Sequence, residues 1–352
     1  MSTVMDISEF VPVSASSPEW GRYHVYRRRW HRERRPDEPL APDDVVETML
    51  ARPDPREHHH RYQVVVGDEM VGELYLSAAR PESPEYETNR HLLWADSYVL
   101  AEHRRRGIGR RLLPLPLRWM EEHGATVLTT VAEDEPGHAF LRRLGAEPRL
   151  VERGSRLDLG RLDWALVERW VRQGEAASPD ARLELYPRWV PDDLLDEHCA
   201  ATTELMNTMP FEGMDHGDIV ITPDGMRDWH ERLALTGSTN PNCVVREADS
   251  SISGMTDVVR HPHEPGMVRQ NFTGVHPRAR GRGLGKWLKA ALLLRVRDAY
   301  PGLRWLITDN AGSNAPMLAI NRRLGFRQHR EQFTYQVTLA ELAAKAAYAT
   351  AR

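Results

Sequence analysis

The chain contains few cysteines and few lysines, and it lacks a long apolar segment. Only Cys199 and Cys243 occur among its 352 residues, so neither a disulfide framework nor a cysteine-rich zinc site is expected. No run of apolar residues approaches the roughly 18 needed to cross a bilayer, and the first ten residues lack the basic and apolar regions of a signal peptide. We therefore expect a cytoplasmic protein without membrane partners.

The charge balance excludes a further class of partner. The formal net charge is −4, whereas a protein that binds duplex nucleic acid usually presents a strongly basic face, so no nucleic-acid partner is expected. His58 to His60 form a histidine run, but adjacent side chains point in different directions, so we expect no metal. The hydrophobic fraction of 41% is ordinary for a globular protein, and the length favours two domains of about 150 residues.

An internal repeat divides the chain into two similar halves. RRRGIGRRLL begins at Arg104, and RGRGLGKWLK begins 176 residues later at Arg280. FLRRLGA begins at Phe140, and INRRLGF begins 180 residues later at Ile320. Two unrelated strings that recur in the same order at nearly the same offset indicate duplication of a whole domain. Residues 174–181 read as a polar linker, which predicts domains of residues 1–174 and 175–352.

Both halves show the same order of predicted elements, a strand pair, a third strand, a glycine-rich loop, a helix and another strand. Pro114 and Pro116 should kink or delay the first of these helices. This alternation predicts an α/β or α+β sheet with mixed strand directions. The first half predicts strands at 62–66, 70–77, 92–100 and 126–131 and a helix at 110–123. The second predicts strands at 242–245, 252–259, 268–275, 304–308 and 332–338, with helices at 286–300 and 315–324.

The glycine-rich loops have a direct chemical use. Glycines allow consecutive backbone N–H groups to converge, and a following helix start adds partial positive charge, so a diphosphate can be held there. The alternative for either loop alone is a tight turn. Leu112 and Leu288 replace the third glycine of the dinucleotide-binding fingerprint, and the Gly-Lys-Ser/Thr of a P-loop is missing.

The second half resembles a known family. TGVHPRARGRGLGKWLKAA (residues 273–291), followed by TDNAGSNAPMLAINRRLGF (residues 308–326), resembles the GNAT superfamily of acetyl-coenzyme-A-dependent N-acetyltransferases. The first half resembles the same family less closely, through YVLAEHRRRGIGRRLL and FLRRLGA. The paired arrangement is similar to that of tandem actinobacterial members. The resemblance implies two tandem GNAT-like domains, each with a mixed, mostly antiparallel twisted sheet, flanking helices and a splayed central strand pair.

The resemblance also implies a coenzyme A site in each half. Loop amides would bind the pyrophosphate, and the pantetheine arm would pair with the backbone near Val275 or Val99. An N–H near Thr273, or Ser97 in the first half, would polarise the thioester carbonyl. The implied loop residues are Arg280, Gly281, Arg282, Gly283, Leu284, Gly285 and Lys286 in the second half and Arg104, Arg105, Gly107, Ile108, Gly109 and Arg110 in the first.

Asparagines distinguish the two halves. Asn310 and Asn314 suit polar contacts to the pantetheine arm, with capping of the next helix as the alternative. The first half has Glu133 and Asp134 in that region. We therefore expect the C-terminal copy to be the better candidate for chemistry.

Two catalytic groups that are common in the family are missing. Asn321 and Leu141 stand where many members have a tyrosine acid, and Arg269 and Leu93 stand where many have a glutamate base. The loop at residues 209–218 supplies two candidates for holding or deprotonating an amine, with a solvated loop as the alternative. These candidates are Glu212 and Asp215.

Together these features predict transfer of an acetyl group from acetyl-coenzyme A to a primary amine of a small molecule. An amino sugar, an amino acid conjugate or an antibiotic would suit, and the protein would be a monomer or a homodimer. The alternatives are a non-catalytic acyl-coenzyme-A-binding sensor and a protein or peptide N-acetyltransferase.

Overall fold

The computed structural model describes residues 5–350. The strands are β1 Met5–Glu9, β2 Glu57–Val66, β3 Glu69–Ala79, β4 Leu92–Val99, β5 Val127–Ala132, β6 Glu147–Asp158, β7 Arg182–Tyr186, β8 Asn242–Arg246, β9 Ile252–Val259, β10 Met267–Val275, β11 Trp305–Ala311 and β12 Arg327–Thr338. The α-helices are α1 Ser17–Arg34, α2 Asp43–Leu50, α3 Tyr86–Asn89, α4 Ile108–Leu112, α5 Pro114–His123, α6 Glu135–Arg143, α7 Trp164–Ala177, α8 Leu195–Met206, α9 Pro223–Leu235, α10 Leu284–Ala299, α11 Ala315–Leu324 and α12 Leu339–Thr350.

The chain forms two compact units. Within the described residues, the N-terminal unit comprises 5–150, 213–218 and 333–350, and the C-terminal unit comprises 151–212 and 219–332. Each unit thus takes a strand from beyond its own half of the sequence. The domain limits predicted above, 1–174 and 175–352, concern the sequence copies and stay a prediction.

The N-terminal unit is a mixed, mostly antiparallel sheet with helices on both faces. Antiparallel pairs join β1, β2, β3 and β4, β4 runs parallel to β5, and β5 pairs antiparallel with residues 333–338 of β12. Leu76 and Leu93 of the sheet pack with Ile108 and Met120 of α4 and α5 in the main core. A smaller aromatic cluster includes Tyr23 and Tyr26 of α1.

The C-terminal unit repeats this plan. β7, β8, β9 and β10 are joined by antiparallel pairs, β10 runs parallel to β11, and β11 pairs antiparallel with residues 152–158 of β6. Trp170 of α7 and Trp287 and Leu288 of α10 lie in its main core. The α/β class and the mixed sheet with flanking helices are therefore confirmed.

Two local predictions concerned helix interruptions. The predicted disturbance by proline is confirmed, because α4 ends at Leu112 and α5 begins at Pro114. The predicted linker at residues 174–181 is wrong over its first four residues, because α7 continues to Ala177. Gly174 is buried there, and a Cβ at this position would overlap Cγ of Trp287. Glycine thus lets the tryptophan ring pack directly on the helix backbone.

Among residues 5–350, none of the helices combines the length and the apolar character needed to cross a bilayer.

Candidate active site

The sheet of the N-terminal unit opens next to the glycine-rich loop. β4 and β5 pair over Leu92–Trp94 and Val127–Thr129. Both strands continue beyond these pairs, β4 to Val99 and β5 to Ala132. The strands therefore part toward the loop, and a ligand with amide groups can pair with backbone exposed in the gap, as an added strand would.

A cleft begins at this gap. We call it the N-terminal cleft; it has a volume of about 910 Å³ and is lined by Ser97 and Val99 of β4, Thr130 of β5, the glycine-rich loop, α6 and part of α12. This volume is typical of sites for drug-sized ligands and cofactors. The cleft brings together all seven residues predicted to bind coenzyme in the first half, namely Val99, Arg104, Arg105, Gly107, Ile108, Gly109 and Arg110.

The loop backbone has the shape of an anion-binding concavity. Arg105 and Gly107 have φ angles of +63° and +81°, in the left-handed region. Left-handed residues that alternate with right-handed ones turn successive N–H groups toward one side. The corresponding residues of the C-terminal unit are Gly281 and Gly283, with φ angles of +84° and +83°. Arg105 thus holds a conformation that ordinarily favours glycine, at a cost of about 1–2 kcal/mol.

Positive charge predominates along the N-terminal cleft. Arg104 donates from Nε to the carbonyl of Val99 at 2.9 Å and from Nη1 to Asp134 at 3.0 Å. Burial raises the pKa of Asp134, but the N–H of Gly137 and the charge of Arg104 outweigh this and hold it below its ordinary value. Asp134 therefore remains ionised and neutralises one arginine. Arg105 and Arg110 have no ion-pair partner among residues 5–346, which leaves them available to an anion.

A carboxylate missed by the sequence analysis lies beside the gap. Asp96 is two residues beyond the last pair of β4 with β5, opposite Tyr75 of β3. The Asp96 side chain is exposed to solvent, but many protein atoms lie close to its carboxylate. Burial and the negative charge of Glu73 raise the pKa of Asp96. The expected base position, Leu93, is fully buried and apolar, so Asp96 is the better proton acceptor on this strand.

The C-terminal unit has a gap of the same kind. β10 and β11 pair over Met267–Gln270 and Trp305–Thr308, and the strands continue to Val275 and Ala311. A β-bulge between Gln270 and Thr273 shifts the register of β10 against β9.

The buried carboxylate of Asp257 holds this bulge. It accepts hydrogen bonds from the N–H of Phe272 at 2.9 Å, from Asn240 at 2.6 Å and from Asn271 at 3.0 Å. Thr273, predicted to lie near the thioester, has its hydroxyl 2.7 Å from that of Thr256.

The loop of the C-terminal unit is more occupied by its own contacts. Arg280 donates to the carbonyl of Val275 at 3.2 Å, as Arg104 does to Val99. Arg282 donates to Glu247 at 2.6 Å and to Ser178 at 3.0 Å. Gly285 and Leu284 are buried, and Lys286 is half-buried. Arg282 is thus already paired, unlike Arg105 and Arg110 of the N-terminal unit.

The predicted asparagine contacts have internal partners. Asn314 accepts from the N–H of Met317 at 3.3 Å, which is the capping role given as the alternative. Asn310 accepts from Nδ2 of Asn321 at 2.7 Å. Oδ1 of Asn321 is buried and has no hydrogen-bond partner in the described region.

The two predicted catalytic carboxylates each have a partner of their own. Glu212 belongs to the C-terminal unit and accepts from the N–H of Ser313 at 2.9 Å. Asp215 belongs to the N-terminal unit and lies 2.8 Å from Nε2 of His91. Each carboxylate is therefore engaged within its own unit.

Comparisons with known proteins agree with this geometry. Residues 22–146 match the Acetyltransferase (GNAT) family. No curated protein matches the sequence. Three solved structures that are similar to the chain illustrate the fold.

A tandem GNAT protein from the clavulanic acid biosynthesis pathway has a TM-score of 0.72 and 21% identity, with 96% of this chain and 99% of that chain covered. A GCN5-related N-acetyltransferase from Sphaerobacter thermophilus has a TM-score of 0.63 and 14% identity, with 95% and 96% covered. A GCN5-related glucosamine N-acetyltransferase region of a fungal multi-domain GH3 β-N-acetylglucosaminidase has a TM-score of 0.64 and 11% identity, with 95% and 38% covered. The described chain has the fold of a tandem GNAT protein.

Proposed function

We propose that this protein transfers an acetyl group from acetyl-coenzyme A to a primary amine of a small molecule. The proposal starts from the match of residues 22–146 to the GNAT acetyltransferase family and from the tandem GNAT fold. The observation that supports this most strongly is the N-terminal cleft, where a strand gap, convergent loop amides and unpaired arginines adjoin one another. We place coenzyme binding there. The sequence favours the C-terminal copy for chemistry, and that expectation stays a prediction beside this proposal.

The residues of the N-terminal cleft fit the coenzyme part by part. Backbone N–H groups of the loop suit the pyrophosphate, and the charges of Arg105 and Arg110 add to their attraction. The free backbone of β4 near Val99 suits the amides of the pantetheine arm. When bound, acetyl-coenzyme A supplies the activated acyl group as a thioester.

Proton removal falls to Asp96 in this proposal. A primary amine is mostly protonated near neutral pH, and its ammonium must lose a proton before the nitrogen can attack. Because the pKa of Asp96 is raised, its ionised carboxylate is a stronger base than an ordinary aspartate. An N–H donor near Ser97 would stabilise negative charge on the carbonyl oxygen during attack, an effect typically worth about 100-fold in rate.

Isothermal titration with acetyl-coenzyme A tests the binding site. The variant Arg105→Glu/Arg110→Glu reverses two exposed charges of the cleft and should weaken binding by about 100-fold or more. Arg106→Glu is the matched control, because Arg106 is exposed in the same loop but does not line the cleft. Gly283→Val tests the C-terminal loop, since its φ of +83° excludes a β-branched residue without strain. Loss of binding in Gly283→Val alone would move the site to the C-terminal unit.

A non-catalytic acyl-coenzyme-A-binding protein is the second candidate. Leu141, at the position of the missing acid, is buried and apolar, and Arg269, at the position of the missing base, is paired with Glu264 at 2.9 Å. Neither can transfer a proton in the expected way. Release of free thiol from acetyl-coenzyme A in the presence of an amine panel separates the candidates, because a binding protein releases none.

A further inference from the structure

A second group of cations lies along the N-terminal cleft, away from the glycine-rich loop in sequence. Arg143 is the last residue of α6, and Lys345 lies on α12; both line the cleft and are exposed. A Cβ placed on Gly145 would lie 3.8 Å from Cε of Lys345. Both cations therefore lie toward the C-terminal end of α6. Neither has an ion-pair or hydrogen-bond partner among residues 5–346, whose side chains the structure describes.

Helix α6 relates this group to the rest of the cleft. Its N-cap, Asp134, contacts Arg104 at the start of the loop. Further along, the ring of Phe140 lies against the end of the loop, because a Cβ on Gly109 would be 3.1 Å from it. Arg143 follows one helical turn later. At about 1.5 Å per residue, the nine residues from Asp134 to Arg143 place the second group roughly 13 Å beyond the N-cap.

Coenzyme A carries its phosphates in a matching order. With the thioester in the strand gap and the pyrophosphate on the loop, the adenosine and its 3′-phosphate lie on the far side of the pyrophosphate. This phosphate monoester carries between one and two negative charges at pH 7, because such groups have a second pKa near 6. Two unpaired cations farther along the cleft suit such a group.

We propose that Arg143 and Lys345 bind the ribose 3′-phosphate of coenzyme A, so that α12 forms part of the coenzyme site of the N-terminal unit. This inference rests on the proposed function. Lys345 is carried by an anchored helix, since Leu342 of α12 is fully buried in the main core of the unit. The helix presents the ammonium group to the cleft at little additional cost in chain ordering.

The test compares coenzyme A with 3′-dephospho-coenzyme A by isothermal titration at one fixed ionic strength, with the full-length protein. Wild-type protein should prefer coenzyme A by about tenfold or more, since two charged hydrogen bonds are at stake. Arg143→Ala/Lys345→Ala should lose that preference, because affinity for coenzyme A falls while affinity for the dephospho form is unchanged. Arg142→Ala is the matched control; Arg142 is exposed on the same helix, pairs with Glu135 at 2.5 Å and does not line the cleft.

Each outcome has a distinct meaning. Equal wild-type affinity for the two coenzymes, or a preference that survives in the double variant, would overturn the phosphate site and leave coenzyme binding intact. Binding of neither compound would overturn the proposed function and the phosphate site together. Retention of the preference in Arg142→Ala and its loss in the double variant would support the assignment. Circular dichroism of the variants checks that both remain folded.

Discussion

Replacement of the buried lysine of α10 should stabilise the protein. Lys289 is only 2% exposed, and its Nζ lies 5.5 Å from the centre of the Phe326 ring. It forms no ion pair or hydrogen bond with any residue in the described range. Burial alone lowers its pKa from 10.5 to about 7. Methionine has a similar length and no charge, so Lys289→Met should fill the same space without the cost of desolvation.

The magnitude follows from the shift in pKa. Each unit is worth about 1.4 kcal/mol, so a fall from 10.5 to about 7 corresponds to roughly 4–5 kcal/mol. The folded state binds the proton more weakly than the unfolded state. The cost is therefore absent above the unfolded pKa, grows as the pH falls toward 7 and is complete below it. Near pH 7 the variant should exceed the wild type in free energy of unfolding by about 4 kcal/mol.

Denaturant unfolding at pH 7 and pH 10 measures this difference. Fluorescence of the buried Trp170 and Trp287 reports on the C-terminal unit, which contains Lys289. The advantage of the variant should be much smaller at pH 10 than at pH 7. Lys286→Met is the control, because Lys286 lies on the same helix but is only half-buried. Equal stability of wild type and Lys289→Met at pH 7, or a difference that does not change with pH, would refute the reasoning.

Three further substitutions test individual contacts. Asp96→Asn should lower kcat about 100-fold with little change in the KM for acetyl-coenzyme A, because an amide does not accept the proton. Thiol release measures both constants, and an unaltered kcat would eliminate Asp96 as the base. In the wild type, kcat/KM should rise with pH through the raised pKa of that aspartate. Asp257→Ala should cost about 1–3 kcal/mol in denaturant unfolding, because the bulge N–H loses its buried acceptor, whereas Asp257→Asn, which keeps one acceptor oxygen, should cost less. Gly174→Ala should lower the free energy of unfolding by about 1–3 kcal/mol, since its methyl group overlaps the ring of Trp287. Gly21→Ala in α1 is the control and should not lower it, because nothing lies within 4 Å of the new Cβ.

The sequence predicted those elements whose signals are local. The strand at Ile252–Val259 and the helix at Ala315–Leu324 have the predicted bounds, since alternation and helical spacing lie within each segment itself. The partners of residues 152–158 and 333–338 could not be predicted in this way. The sequence of one strand does not indicate which distant strand pairs with it.

The residues of the candidate site likewise fall into those with a local sequence signal and those without one. The first-half residues that the sequence predicted to bind coenzyme all line the N-terminal cleft. The loop motif could not indicate Lys345, which reaches that cleft from far along the chain. Asp96 has a local signal, because it alternates with the more buried Leu93 and Ala95 along β4. The family resemblance implied Leu93 instead, which is three residues earlier on the same strand.

The exchanged strand has a consequence for synthesis of the protein on the ribosome. Residues 333–338 supply the partner of β5 in the N-terminal unit, and about 200 residues separate them from Ala132 at the end of β5. At about 5–20 residues per second, translation of that interval takes roughly 10–40 s. During this time the nascent chain displays the unpaired edge of β5, which includes Val127, Leu128 and Val131 and can pair with other chains. A molecule released before residue 333 would keep that edge permanently.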